Sequence, residues 1–212
     1  MKERNVTVTL NKAKEWFNSG NTTLKEIALQ AFSKEEIIGD FRDITTLKKA
    51  CKVLGIYYEA VVIRANEMAE TSKASAAMYK LNIIRKALNF GQDLHLTKYP
   101  EDSYIYYPYN PFVTKSSTYY KSEINSGKME VIGKIKNEGE EYNVLGGGAA
   151  NGGSANLGDF VSSKGVGFAD SDIVFLGCAS KEIAEHFSKY FGMLITEAKY
   201  GNMVDFKIIK DY

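Results

Sequence analysis

Along the first part of the chain, apolar residues recur at the three-and-four spacing of a helix, and along the second part they alternate with polar ones or gather in short runs. The opening "NVTVTL" stands apart: Val6, Val8 and Leu10 alternate with polar partners and predict a short strand. A helix with Ala13, Trp16 and Phe17 on one face is expected next, stopped by "NSGN" around Gly20. In "TLKE", Thr23 stands three residues before Glu26, the spacing at which each side chain satisfies the other's exposed backbone N–H. Leu24, Ile27, Ala28 and Ala31 follow as one apolar stripe. Ser33 and Glu36 repeat the same box ahead of a further short helix. "TTLKKACKVLG" predicts a helix with Leu47, Ala50, Cys51 and Leu54 inward and Gly55 just past its end. In "SKASAAMYKLNIIRKALNFG", Ala74, Ala77, Met78, Leu81, Ile84 and Leu88 keep helical phase until Gly91.

The character then changes. Pro100, Pro108 and Pro111 fall within "YPEDSYIYYPYNPF", beside Tyr99, Tyr104, Tyr106, Tyr107, Tyr109 and Phe112. Proline interrupts helices and sheet ladders alike, so this stretch reads as a stiff connector with at most one edge strand. "KMEVIGKIKNEGEEYNVLGGG" predicts two strands joined by a turn near Asn137 to Glu140, with Val131, Ile135, Tyr142 and Val144 inward. "SDIVFLGC" reads as a buried strand. In "SKEIAEHFSKYFGMLITEAKYG", Ile183, Phe187, Phe191, Leu194 and Ala198 hold helical phase across Gly192, so one helix is extended through that glycine. "MVDFKII" closes as a strand. The expected class is α+β: a mainly helical N-terminal part, then a small antiparallel sheet with one long packed helix. The expected regions are 1–98, helical after a short strand; 99–126, the Tyr/Pro-rich connector; and 127–212, Gly-rich sheet plus helix, either separate or on one shared core.

Composition adds few constraints. With 212 residues and 44% hydrophobic content the chain is expected to be an ordinary soluble globular protein. No apolar run approaches the roughly 20 residues of a membrane span, and no apolar signal segment follows the basic start, so a cytosolic protein with reduced Cys51 and Cys178 is expected. The net charge of +1 hides an asymmetry. Residues 1–98 hold 16 Lys+Arg against 11 Asp+Glu, and residues 99–212 hold 11 against 15, which suggests complementary surfaces within or between chains. This is not the basic footprint of a nucleic-acid binder.

"VLGGGAANGGSANLGDF" is the stretch that invites a functional reading. Twelve of the 18 glycines lie between Gly127 and Gly177. A phosphate-binding P-loop ends in Gly-Lys-Ser/Thr, which is missing here, and the dinucleotide spacing from Gly146 through Gly148 lands on Asn151. Between Asn137 and Ser180 one cation, Lys164, faces six acids. Small residues at Gly147, Gly148, Asn151, Gly152 and Asn156 permit wide turns or the close approach of another chain, so they are ligand- or partner-binding candidates. An anion site of backbone N–H groups is the alternative. Tyr106, Tyr107 and Tyr109 are further binding candidates, as a packing seam or as a base-stacking platform. Cys178 precedes a predicted helix start that would favour a thiolate, and His186 lies about two turns into that helix, so a nucleophilic Cys–His pair is conceivable beside the plainer reading of a buried thiol. Asp159, Asp170 and Asp172 match no EF-hand spacing. No metal or cofactor is expected.

The segments "LNKAKEWFNSGNTTLKEIALQAFSKEEI", "ITTLKKACKVLGI", "AAMYKLNIIRKALNFG", "YYPY" and "SKEIAEHFSKYFGMLI", in this order, resemble a group of uncharacterised proteins from phages and mobile elements of gut Bacteroidales. The resemblance implies a phage or prophage accessory protein, in the cytoplasm of an infected bacterium or carried in a virion, and transfers no catalytic residues. The expectation is a non-catalytic protein that binds a host protein or small ligand, or forms a homo-oligomer. A virion structural component and a Cys/His-dependent enzyme are the alternatives. Neither nucleic acid nor membrane is an expected partner.

Overall fold

The computed structural model describes residues 7–19, 21–33, 36–37, 39–91, 106–118, 120–151, 160–161 and 176–209. Helices α1 (Leu10–Asn18) and α2 (Thr22–Ala31) form a hairpin with its own small core, Ala13, Ala28 and Ile37 buried against Val8, Leu10, Trp16, Phe17 and Phe32. The strand expected at the start is not found in its described part. Thr9 accepts from the Lys12 N–H and caps a helix in which Leu10 is the first residue, because a hydroxyl ahead of "NKAKEW" satisfies an orphan helix donor. The Thr23–Glu26 box is also displaced: Asn21 caps α2 by accepting from Leu24, two residues earlier than expected. Ile27 and Ala31, expected inward, face solvent, and Ala28 is the buried residue of α2. The Ser33–Glu36 box does form, with reciprocal bonds of 2.8 and 3.2 Å.

Three further helices follow. α3 (Leu47–Leu54) starts on Thr46 and ends on Gly55 in the left-handed conformation. α4 (Tyr58–Ala69) escapes the sequence pattern because Val61, Val62, Ile63, Ala65 and Met68 spread around the helix; only Val61 and Ala65 are buried, and Ile63 is 59% exposed. α5 (Lys73–Leu88) starts on Ser72 and buries Ala76, Ala77, Leu81, Ile84, Ala87 and Leu88.

The Tyr/Pro stretch is more than a connector. It contains strands β1 (Tyr106–Tyr109) and β2 (Phe112–Thr114), then a short helix α6 (Lys121–Asn125). β3 (Glu130–Asn137) and β4 (Glu140–Gly146) form the expected hairpin, followed by β5 (Gly148–Asn151), β6 (Phe160–Val161), the helix α7 (Lys181–Tyr200) and β7 (Phe206–Ile209). β1 and β5 make a two-stranded antiparallel ladder that accommodates Pro108. The larger sheet has the order β6-β2-β4-β3-β7, antiparallel except for the β2–β6 pair. A register shift between Val131 and Gly133 puts Ile132 in a bulge, which reverses the side-chain phase. Val131, expected inward, is therefore 48% exposed, while Ile135, Tyr142 and Val144 are buried as predicted.

The described end of "SDIVFLGC" is no strand: Leu176 and Cys178 are buried, but Cys178 makes only an isolated bridge with Tyr106. α7 runs through Gly192 without a break. It lies across both sheets and against α5, and one core unites Ile44, Leu81, Ile84 and Leu88 with Tyr107, Leu176, Cys178, Phe187, Phe191 and Ile195. The helical and β-rich regions thus share a core. A second cluster under the C-terminal half of α7 holds Phe112, Ile135, Tyr142, Val144, Tyr200 and Phe206. Among the described residues no helix is long and apolar enough to cross a membrane.

Candidate functional site

The glycine stretch and the tyrosine cluster, two separate binding candidates in the sequence, are paired with each other. Tyr106 stands opposite Asn151, Tyr107 opposite Ala150 and Tyr109 opposite Gly148. Tyr107 is 3% exposed, and burial pushes its phenol above the usual tyrosine range. Tyr106 exchanges backbone bonds with Cys178 at 3.1 and 2.7 Å, and the Tyr109 hydroxyl lies 2.7 Å from that of Tyr120. The platform for stacking bases is therefore not laid out: its central ring is in the core. Gly152 and Asn156 lie outside the described residues, as do Asp159, Asp170 and Asp172.

The N–H groups that could have cradled a phosphate already have a partner. Gly147, at φ +95°, turns the chain between β4 and β5 so that the N–H groups of Gly147 and Gly148 both donate to the Ser188 hydroxyl, at 3.0 and 3.2 Å. That hydroxyl in turn donates to the Tyr109 carbonyl at 2.8 Å. Asn110, 3% exposed, donates from Nδ2 to Leu145 O at 2.8 Å and to Ser188 O at 3.0 Å. One α7 side chain and one loop amide thus bind the glycine turn to the helix. Sequence reading missed both residues. The available signal was the four-residue spacing of Ala184, Ser188, Gly192 and Thr196, all buried, which forms a ridge small enough for backbone to approach. Asn89 was missed too: it ties the end of α5 to the 177–179 segment, donating to Arg85 O and Gly177 O and accepting from the Ala179 N–H.

Cys178 and His186 do not make a nucleophile and base. The Cys178 thiol, 0% exposed, donates to Leu176 O at 3.4 Å, and burial pushes it well above the usual thiol range. His186 Nε2 lies 2.9 Å from the Ile44 carbonyl; a carbonyl only accepts, so this nitrogen carries the proton. Its ring packs on Phe41 and Tyr190. Cys51 is likewise free and buried. Both thiols are expected to resist a water-soluble disulfide reagent in the native protein and to react fully once it is unfolded; fast native reaction at Cys178 would overturn this assignment.

Burial holds His186 below the ordinary histidine range, against the opposing pull of the Ile44 bond and Asp40. The folded state then binds fewer protons than the unfolded chain. The stabilisation this supplies is complete above the ordinary value of 6.5 and is lost as pH falls through the lower folded value. Glu36, Asp40, Glu123 and Glu182, held down chiefly by hydrogen bonds, act in a separate window below 4.5. The melting temperature of the wild type should therefore drop between about pH 7 and about pH 5, and His186→Gln should flatten that drop.

Among the described residues two open surfaces stand out. A polar cleft of about 280 Å³ brings Gly147 and His186 to one wall, beside Lys128, Lys189, Glu130 and Glu185. Its two lysines match two carboxylates, and Lys189 already pairs with Glu130 at 3.2 Å, so no net charge is left for an anion. The second is a groove of about 1070 Å³, open to solvent, between β3, β7 and the C-terminal half of α7. Val131, Ile132, Met193, Leu194, Phe206 and Ile208 make it apolar, and Lys73, Lys207 and Glu197 stand on its rim. The bulge brings the outward-turned Val131 into its lining. Among the described residues, no three His, Cys, Asp or Glu side chains cluster as metal ligands would. No protein-family model, curated protein or solved structure matches the chain.

Proposed function

We propose that this chain is a non-catalytic accessory protein of a phage or mobile element, and that it acts by binding a host protein through the groove between β3, β7 and α7. The groove is the observation that carries the reading. It is large, apolar and open, and it is walled by a helix and the edge of a sheet, a shape suited to a protein segment; a small ligand would need enclosure on most sides. The glycine turn, occupied by Ser188, supports this choice of surface over the one favoured by composition. The enzyme alternative is disfavoured by the buried, bonded thiol of Cys178. The phage setting rests on the resemblance of the sequence segments.

Native mass spectrometry of the protein purified from infected cells tests the reading. A stoichiometric host-protein adduct is expected, and it should fall by about tenfold in Val131→Glu, where a charge enters the groove from an already exposed position. An adduct indifferent to that substitution, or none at all, would refute the groove as the binding surface. A concentration-independent homo-oligomer also found in purified virions would favour the structural alternative instead.

A further inference from the structure

β7 is the last strand of its sheet, and the edge it turns away from β3 has no ladder partner among the described residues. An open edge is complementary to one chemical object, the backbone of an extended chain. The two faces of β7 then specify the side chains of that chain. On the inner face Ile208, paired with Ile135, lies in the groove with Met193 and Leu194, so inward residues of an added strand would meet apolar surface. On the outer face a row of charges crosses the sheet. Lys115 Nζ lies 3.7 Å from Glu141, Glu141 stands opposite Lys136, and Lys136 stands opposite Lys207, where the sheet stops. Lys136 has an acid on its other side. Lys207 faces only another lysine, and neither has a salt bridge among the described residues. Like charges directly opposite one another on a sheet face destabilise it, and a carboxylate on the next strand would reverse the sign. Lys73 on the groove rim adds a second cation against the single acid Glu197.

Resting on the binding reading above, we infer that β7 takes up an extended segment of the partner protein as a sixth strand, with apolar residues facing the groove and an acidic residue opposite Lys207. A second copy of this chain is the poorer occupant. Its own β7 would bring another Lys207 beside the existing Lys136–Lys207 pair.

The test uses the intact protein and a short fluorescein-labelled peptide of alternating valine and glutamate, followed by fluorescence anisotropy. It should bind about tenfold more tightly than the valine–lysine counterpart, and the difference should shrink as salt is raised to about 1 M. Lys207→Glu, at an exposed position, should invert the preference, and because it sets a carboxylate opposite Lys136 it should leave the circular dichroism melt no lower than that of the wild type. N-methylation of alternate peptide amides should abolish binding, because the ladder donors are gone. Equal affinity for both peptides, no inversion in Lys207→Glu, or full binding of the N-methylated peptide would each overturn the inference. So would self-association that competes with the peptide. A host adduct that depends on Val131 but survives Lys207→Glu would sink the added strand and leave the groove reading standing; loss of the Val131 dependence removes both.

Discussion

Ser188→Ala is expected to lower the unfolding free energy by about 3 kcal/mol. The methyl of alanine fits wherever the serine was, so packing contributes little to that cost. What is lost is the acceptor for two N–H groups, Gly147 and Gly148, and the donor for the Tyr109 carbonyl. Ser188 is 0% exposed and Gly148 is buried, so water cannot readily replace the hydroxyl, and each orphaned buried group costs about 1 kcal/mol or more. Chemical denaturation followed by far-ultraviolet circular dichroism is the right measurement. Trp16 fluorescence is not, since the only tryptophan sits in the α1–α2 hairpin with its own core. A loss below about 1 kcal/mol would mean that the glycine turn does not depend on the helix, and would reopen its N–H groups to a ligand.

Gly192→Ala should destabilise by about 2 kcal/mol, against the usual sign for a helix interior. Propensity alone favours alanine by about 1 kcal/mol. Here a Cβ would run into the Asn110 amide and Ile132 Cδ1. Asn110 is buried and holds Leu145 O and Ser188 O with that amide, so moving it breaks two buried bonds worth more than the propensity gain. A stabilised Gly192→Ala would show that α7 and the β1–β2 corner can separate at little cost. The two substitutions act on one network through Ser188 and Asn110, so their effects should not add in the double variant.

Much of the local structure was legible because its causes are local. Helices α3 and α5 and the long α7 declare themselves through apolar residues at helical spacing and through Thr46, Ser72, Ser180 and Gly55 at their ends. The β3–β4 hairpin follows from alternation and its turn. α4 was not legible, because Val62, Ile63 and Met68 add apolar residues away from the buried Val61–Ala65 face and blur the stripe. The first strand was misread because Val8 and Leu10 have the same spacing whether they line a strand or enter a helix capped by Thr9. Val131 was misassigned because a bulge is a property of a strand pair, and nothing in "KMEVIGKIK" marks Ile132 as the extra residue.

The candidate site shows the same division more sharply. The sequence by itself determined that small residues gather at Gly146 to Gly148 and aromatic ones at Tyr106 to Tyr109, and that neither carries a known phosphate or metal pattern. Only the tertiary structure decided that these two segments pair with each other, that Ser188 fills the turn, and that Cys178 faces the core. It also decided where the open surface lies, on the groove beside β7. The physical reason is range. Capping, turn geometry and periodicity act over a few residues and leave their mark in composition, whereas Ser188 meets Gly147 across 41 positions and Lys207 meets Lys136 only once β7 has folded back onto β3.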